Sequence, residues 1–181
     1  DVVDLVRQGE TPEDRKNLKK EKMSSIPCVT VSGIFSHHDN EHCTKPSGLM
    51  AIDIDDGECN DKIMQDVPKI LKELDFITYV GKSITGDGYF AICKIENPMH
   101  IKQHFYAMEE ILADKGITID NSCKDLCRLR LCSNDDNFYY NPNATTFYHE
   151  GERSSIERKS EGGYKQQQYE GKPSIKKKEK R

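Results

Sequence analysis

The segment that most constrains this chain is Leu49-Met50-Ala51-Ile52-Asp53-Ile54-Asp55-Asp56-Gly57. Side chains of a strand alternate faces, so Met50, Ile52 and Ile54 point one way and Ala51, Asp53 and Asp55 the other. The first face demands a covering core. The second carries two carboxylates roughly 7 Å apart at the backbone, close enough to converge on one or two divalent cations. Carboxylates with water and substrate phosphates suit Mg²⁺. The same residues also suit a strand end running into an Asp-Gly turn with both carboxylates solvated. A calcium loop fits poorly, because its glycine belongs at the sixth position and Gly57 is the fifth residue counted from Asp53.

Around that strand the periodicity predicts helices and further strands. Apolar residues Ile63, Val67, Ile70, Leu71 and Leu74 repeat at helical spacing in Asp61–Asp75, and Ile101, Phe105, Met108 and Leu112 do so in Pro98–Lys115. Pro98 suits a first turn and Gly116 a stop. A weaker helix is expected in Val2–Lys22. Strand-like runs cover Cys28–Phe35, Leu49–Ile54, Phe76–Ile84, Gly88–Ile95, Ile117–Asp120 and Leu126–Cys132. The order contains two β-α-β passages and no internal repeat. It predicts an α+β fold, an antiparallel or mixed sheet packed by helices.

Charge divides the chain. Residues 150–181 carry ten Lys/Arg against six Glu, a balance of +4, which leaves −8 on residues 1–149 within a total of −4. With Ile156 and Ile175 as its only aliphatic residues, the 150–181 stretch cannot offset the entropy of ordering, and it reads as a disordered basic linker or tail. Residues 1–149 read as one domain. The longest apolar run, Tyr89–Cys93, is far short of the ~20 residues of a membrane helix. Seven cysteines without a Cys-x-x-Cys pair read as reduced thiols in a cytoplasmic protein. The chain opens on Asp1 rather than Met and reads as a fragment or a processed form.

Further polar residues gather near the first pair. Ile119-Asp120 ends another alternating segment. In Leu126–Cys132, Cys127, Leu129 and Leu131 are expected on a core face, with Arg128 and Arg130 opposite. Three Asp and two Arg on one sheet face suit metal-bound phosphate, and they equally suit ordinary salt bridges across a half-exposed sheet. The turn Ser83-Ile84-Thr85-Gly86-Asp87-Gly88 could offer backbone N–H groups to a phosphate or be a plain hairpin connection. His37, His38, His42 and Cys43 could bind Zn²⁺, but adjacent pairs without a second set favour a polar loop.

Taken in order, these segments resemble the archaeo-eukaryotic primase superfamily, in its branch of VirE N-terminal-like primase-polymerase domains of bacterial mobile elements and phages. The resemblance runs from about Asn17 to Pro142. It rests on Leu18-Lys19-Lys20 followed by Ile26-Pro27-Cys28-Val29-Thr30-Val31-Ser32-Gly33-Ile34-Phe35 as an entry strand, Asp53-Ile54-Asp55 as the Asp-x-Asp motif and Ile119-Asp120 as the third motif. Asp125-x-x-Arg128-x-Arg130-x-x-Ser133-x-Asp135 and Tyr140-Asn141-Pro142 follow.

The resemblance implies template-dependent nucleotidyl transfer on an RRM-like sheet. Asp53, Asp55 and Asp120 would be catalytic and would hold Mg²⁺ or Mn²⁺; Thr85, Gly86 and Gly88 would bind the nucleotide, and Arg128 and Arg130 would contact its phosphates or the template backbone. Partners implied are single-stranded DNA template, nucleoside triphosphates and a helicase domain C-terminal to this segment. One motif departs: Phe90 stands where the superfamily carries a phosphate-binding His, and Phe cannot donate a hydrogen bond. Backbone N–H groups around Gly86–Gly88, Lys82 or Lys94 would have to substitute. The alternative is a catalytically degenerate module that binds single-stranded nucleic acid or a replication partner.

Overall fold

A computed structural model describes residues 1–57 and 59–149, so the expected tail at 150–181 lies outside the described residues. Two short helices open the chain, α1 (Val2–Arg7) and α2 (Pro12–Lys22). The expected single helix is split because Thr11 caps a new start: its Oγ accepts from Asp14 N–H, Asp14 reaches back to Thr11, and Pro12 fills the first turn. The expected strand at Cys28–Phe35 is likewise interrupted. It forms β1 (Cys28–Thr30) and β2 (Gly33–Phe35), and β2 pairs with β3 (Cys43–Pro46).

The alternating segment is a strand over its expected span, β4 (Leu49–Ile54), with Met50, Ile52 and Ile54 buried. Then come α3 (Asp61–Lys72), β5 (Ile77–Lys82), β6 (Tyr89–Ile95) and α4 (Ile101–Ala113). Asn60 caps α3 by accepting from Ile63 N–H. Past the end of α4, Gly116 adopts φ +77, a left-handed stop that other residues resist.

Strand order in the main sheet is β4-β6-β5-β8, where β8 is Tyr139–Tyr140, and β9 (Thr146–Phe147) pairs in parallel with β6. Because β4 and β5 both run antiparallel to β6, the β4-α3-β5 connection is a split β-α-β unit. The fold is therefore α+β, antiparallel sheets packed by helices. One sheet face and the two longer helices enclose the core: Met50, Ile52, Ile54, Ala91 and Cys93 meet Val67, Leu71, Phe105, Met108 and Leu112. Burying a side chain such as Phe105 contributes on the order of 2–3 kcal/mol. A smaller cluster, Val3, Ile26 and Ile84, seats α1.

Two strand expectations need correction. Ile117–Asp120 is not a strand; Ile117 and Ile119 are buried as expected, and the Asp120 N–H donates to the Asp53 carbonyl at 2.9 Å. Within Leu126–Cys132 only β7 (Leu129–Leu131) forms, and it pairs with β1 as a separate ribbon rather than joining the sheet. Its expected facing holds for Leu131, which packs against Val3, Ile26 and Ile84, but not for its neighbours: Leu129 is 44% exposed, whereas the Arg130 side chain is 10% exposed. Packing against the sheet has selected the residue with an ion-pair partner there. Among the described residues, no helix is long and apolar enough to cross a membrane. All seven cysteines carry free thiols.

Candidate functional site

The wet face of β4 meets the matching face of β6 in register, Asp53 opposite Phe90 and Ala51 opposite Ile92. Arg130 descends onto this face from β7. Its guanidinium carbon lies 3.6 Å from the centroid of the Phe90 ring, and Nη1 donates to Asp53 Oδ1. The ring thus supports the cation that neutralises Asp53. Such a desolvated cation–π contact is worth ~2 kcal/mol. Burial pushes the guanidinium down to about 9, which still leaves it charged at neutral pH.

Asp120 sits beside this pair. Its Oδ1 accepts from Ser122 N–H at 2.9 Å and its Oδ2 from Ser122 Oγ at 2.5 Å, while Arg128 Nη2 approaches Oδ2 at 3.3 Å. Burial works to raise the Asp120 carboxyl, but the two Ser122 hydrogen bonds and the Arg128 charge outweigh it and hold the group below its ordinary value. Buried Cys123 donates its thiol to Asp53 Oδ2 at 3.4 Å. One ligand atom from each of Asp53, Asp120 and Cys123 falls within 4.8 Å of the others.

Burial pushes the Cys123 thiol up to about 12, so it stays protonated at neutral pH and leaves two hard carboxylates as the donors. That donor chemistry fits Mg²⁺ or Mn²⁺. Asp55 lies one residue beyond β4, exposed and outside the three-residue cluster, though on the rim of the same cavity.

That cavity is about 410 Å³ and is lined by Lys19, Asp53, Asp55, Arg128 and Arg130 with an apolar wall that includes Ile26, Ile84 and Leu131. Both acidic strand-end residues of β4 and both arginines therefore reach one space. Lys19, from α2, stands in the opening run of the resemblance but carries no expected site role, since nothing in a polar helix marks which lysine leans over a cavity. Lys82 and Lys94 do not line it. Lys82 lines a separate pocket with Pro68 and Tyr89, and Lys94 is four residues along β6 from Phe90.

The 83–88 turn approaches the cavity only through Ser83 and Ile84. Thr85 Oγ1 bonds Ser83 Oγ, Gly86 N–H donates to Ser83 O, and Gly88 N–H donates to Ser83 Oγ. The N–H groups expected to meet phosphate are used inside the turn. From outside, Arg7 donates to Ser83 O and Ile84 O, and Arg15 makes a two-pronged ion pair with Asp87. Gly88 is required for space: a Cβ there would lie 2.6 Å from the Ile54 carbonyl.

The histidine-rich loop is tied elsewhere. His42 pairs with Asp39, and His38 Nε2 meets the Cys127 carbonyl at 2.8 Å. Among the described residues, His37, His38, His42 and Cys43 form no three-donor metal cluster. Ser133 and Asp135 also act structurally: Ser133 Oγ donates to Lys82 O, and Asp135 accepts from Lys82 N–H, stitching the stretch after β7 to β5.

No curated protein and no solved structure matches the chain. Residues 20–140, from the end of α2 through β8, match the family described as BT4734-like, N-terminal domain. This span holds Asp53, Asp55, Asp120, Arg128, Arg130 and Phe90 and is well over half of the chain, which therefore belongs to the BT4734-like N-terminal domain family.

Proposed function

We propose that this domain is a metal-dependent nucleotidyltransferase of the primase-polymerase kind, acting on nucleoside triphosphates over a single-stranded DNA template. The observation that carries the reading is one cavity of about 410 Å³ in which Asp53 and Asp55 face Lys19, Arg128 and Arg130. Carboxylates and guanidiniums together in one partly apolar space suit a polyphosphate with its counter-cations.

Asp53 and Asp120, with Asp55 from the rim, would hold Mg²⁺ or Mn²⁺. When bound, such an ion supplies charge neutralisation on the triphosphate and activates the attacking hydroxyl. The chain's own residues do the positioning. Lys19 and Arg128 bind phosphate oxygens, Arg130 orients the phosphate from its seat on Phe90, and the Ile26, Ile84 and Leu131 wall excludes water from the nucleoside side. In this reading Phe90 supports an arginine that grips phosphate, doing indirectly what a histidine would do by direct contact. A helicase or other replication domain would act on the same strand.

A second reading is favoured by the pairing of Asp53 with Arg130 and Asp120 with Arg128, which neutralises both carboxylates without a metal. A domain so arranged could bind nucleic acid and catalyse nothing. Incorporation of labelled nucleotides on single-stranded DNA with Mn²⁺ separates the two. Wild-type synthesis that is lost in Asp53→Ala and Asp55→Ala supports the enzyme; no synthesis by wild type, with DNA binding retained, leaves the binding module.

A further inference from the structure

Beside the carboxylate cavity lies a second groove of about 220 Å³, lined by Val29, Val31, Tyr79, Phe90, Ile92 and Arg130 among others. Arg130 and Leu131 wall both spaces. The floor of the groove is aromatic and continues outward. Phe90 lies 5.2 Å from Tyr79, and Tyr79 stacks on Phe138 at 5.7 Å with their planes 15° apart. Phe138 is 54% exposed, and Tyr140, opposite Tyr79 across β5 and β8, is 59% exposed. Two exposed rings flanking Tyr79 present a surface suited to a planar ligand.

Arg130 supplies an independent sign of a missing ligand. Its side chain is nine-tenths buried, yet its Nε–H has no hydrogen-bond partner among the described residues. A buried unsatisfied donor of this kind calls for an acceptor. The groove therefore offers a cation with one unsatisfied donor at its wall, apolar sides, and at its outer end the exposed rings of Phe138 and Tyr140.

We infer that this groove and its outer end form a nucleobase slot, in which bases of a single-stranded nucleic acid stack on the exposed rings of Phe138 and Tyr140, which Tyr79 and Phe90 back from below, while a base carbonyl or phosphate oxygen meets Arg130. The inference rests on the proposed function only for the identity of the strand as a template. Stacking on aromatic platforms serves every base, because every base has a π face, so the slot takes single strands without strong sequence preference. A duplex hides those faces and is excluded. The slot and the carboxylate cavity share Arg130 as their common wall, which sets a stacked template base next to the space proposed for the incoming nucleotide. Exposed Val29 and Leu129 on the neighbouring ribbon would instead favour an apolar protein surface, and that occupant is decided against by base-dependent binding.

The test measures binding separately from synthesis. Fluorescence anisotropy with labelled oligothymidylate and an abasic oligonucleotide of equal length, in EDTA, requires no variant protein. The thymidylate should bind about tenfold or more tighter than the abasic strand, and Phe138→Ala and Tyr140→Ala should each narrow that gap. Phe138→Leu, which keeps apolar bulk without a π face, should narrow it as well. Equal binding of the two strands by wild type overturns the slot, as does full base dependence in both Phe138→Leu and Tyr140→Ala. Base-dependent binding with no nucleotide incorporation supports the slot while overturning the enzyme reading. Incorporation without base-dependent binding does the reverse.

Discussion

The Arg130 guanidinium rests on the Phe90 ring at 3.6 Å, so the aromatic residue expected to leave a gap in the site is the one that seats the cation paired with Asp53. Phe90→Leu keeps apolar volume and removes the π face. It should cost about 1–2 kcal/mol from lost cation–π contact and lower nucleotide affinity more than it lowers stability. Urea denaturation beside nucleotide titration checks the split. Equal losses in both would mean that Phe90 serves packing alone.

Asp53 and Arg130 form a pair in which both side chains are mostly buried. Asp53→Ala strands the guanidinium and should destabilise the domain by on the order of 3 kcal/mol. Asp55→Ala, at an exposed position, should lie within about 0.5 kcal/mol of wild type. Asp53→Ala/Arg130→Met should recover much of the lost stability, since an apolar pair can replace a buried ionic one, yet should not recover synthesis. Chemical denaturation of the three proteins, paired with nucleotide incorporation, separates folding from function.

Legibility in the sequence followed how local each cause was. The span and facing of β4 and the buried faces of α3 and α4 could be read directly, because period and burial are written in neighbouring residues. Asp53, Asp120, Arg128 and Arg130 were also singled out, and they are brought together. The facing of β7 departs from simple alternation at Leu129 and Arg130, although Leu131 packs inward. Alternation says which residues share a side, but only the partner surface decides which side is buried, and Asp53 lies far off in sequence. The turn at Thr85–Gly88 misled for a related reason: composition announces flexible N–H groups but not that Ser83 already binds them. Lys19 belongs to the opening run of the resemblance, but its place on the cavity comes from where α2 is docked by Arg15 on Asp87.

Gly88→Ala tests the turn by bulk rather than by charge. A Cβ at 2.6 Å from the Ile54 carbonyl forces the end of β4 to move, along with Asp55 beyond it. A loss of about 1–3 kcal/mol is expected, together with impaired synthesis. Gly86→Ala, strained by its φ of +83 but clear of β4, should cost about 1–2 kcal/mol and leave synthesis largely intact. Thermal unfolding and incorporation assays on both variants give the comparison.

Acid should act through Asp120. Its folded value lies below the ordinary 3.8, so its contribution is fully present above that value and is lost as pH falls through the folded value. Ser122→Ala removes the Oγ–H donor, moves the carboxyl back toward its ordinary value and shrinks this acid-side loss. Urea midpoints followed from pH about 6 to about 2.5 should converge for the two proteins at the acid end. A constant offset across that range would assign Ser122 a purely structural hydrogen bond.

Competition between Arg130 and a metal gives the most direct test of the carboxylates. Arg130 already neutralises Asp53, so a divalent ion must displace that contact or share the carboxylate. Arg130→Met leaves Asp53 needing a cation and should tighten Mn²⁺ binding while weakening nucleotide binding. Asp120→Asn should weaken Mn²⁺ without stranding a buried charge, since Arg128 is largely exposed. Saturating Mn²⁺ at 100 times its Kd should add about 2.7 kcal/mol to unfolding of the wild type, and less in Asp120→Asn. Calorimetric titration with Mn²⁺ alone, followed by thermal unfolding, measures both quantities. Weaker or unchanged Mn²⁺ binding in Arg130→Met would show that the arginine does not compete for Asp53.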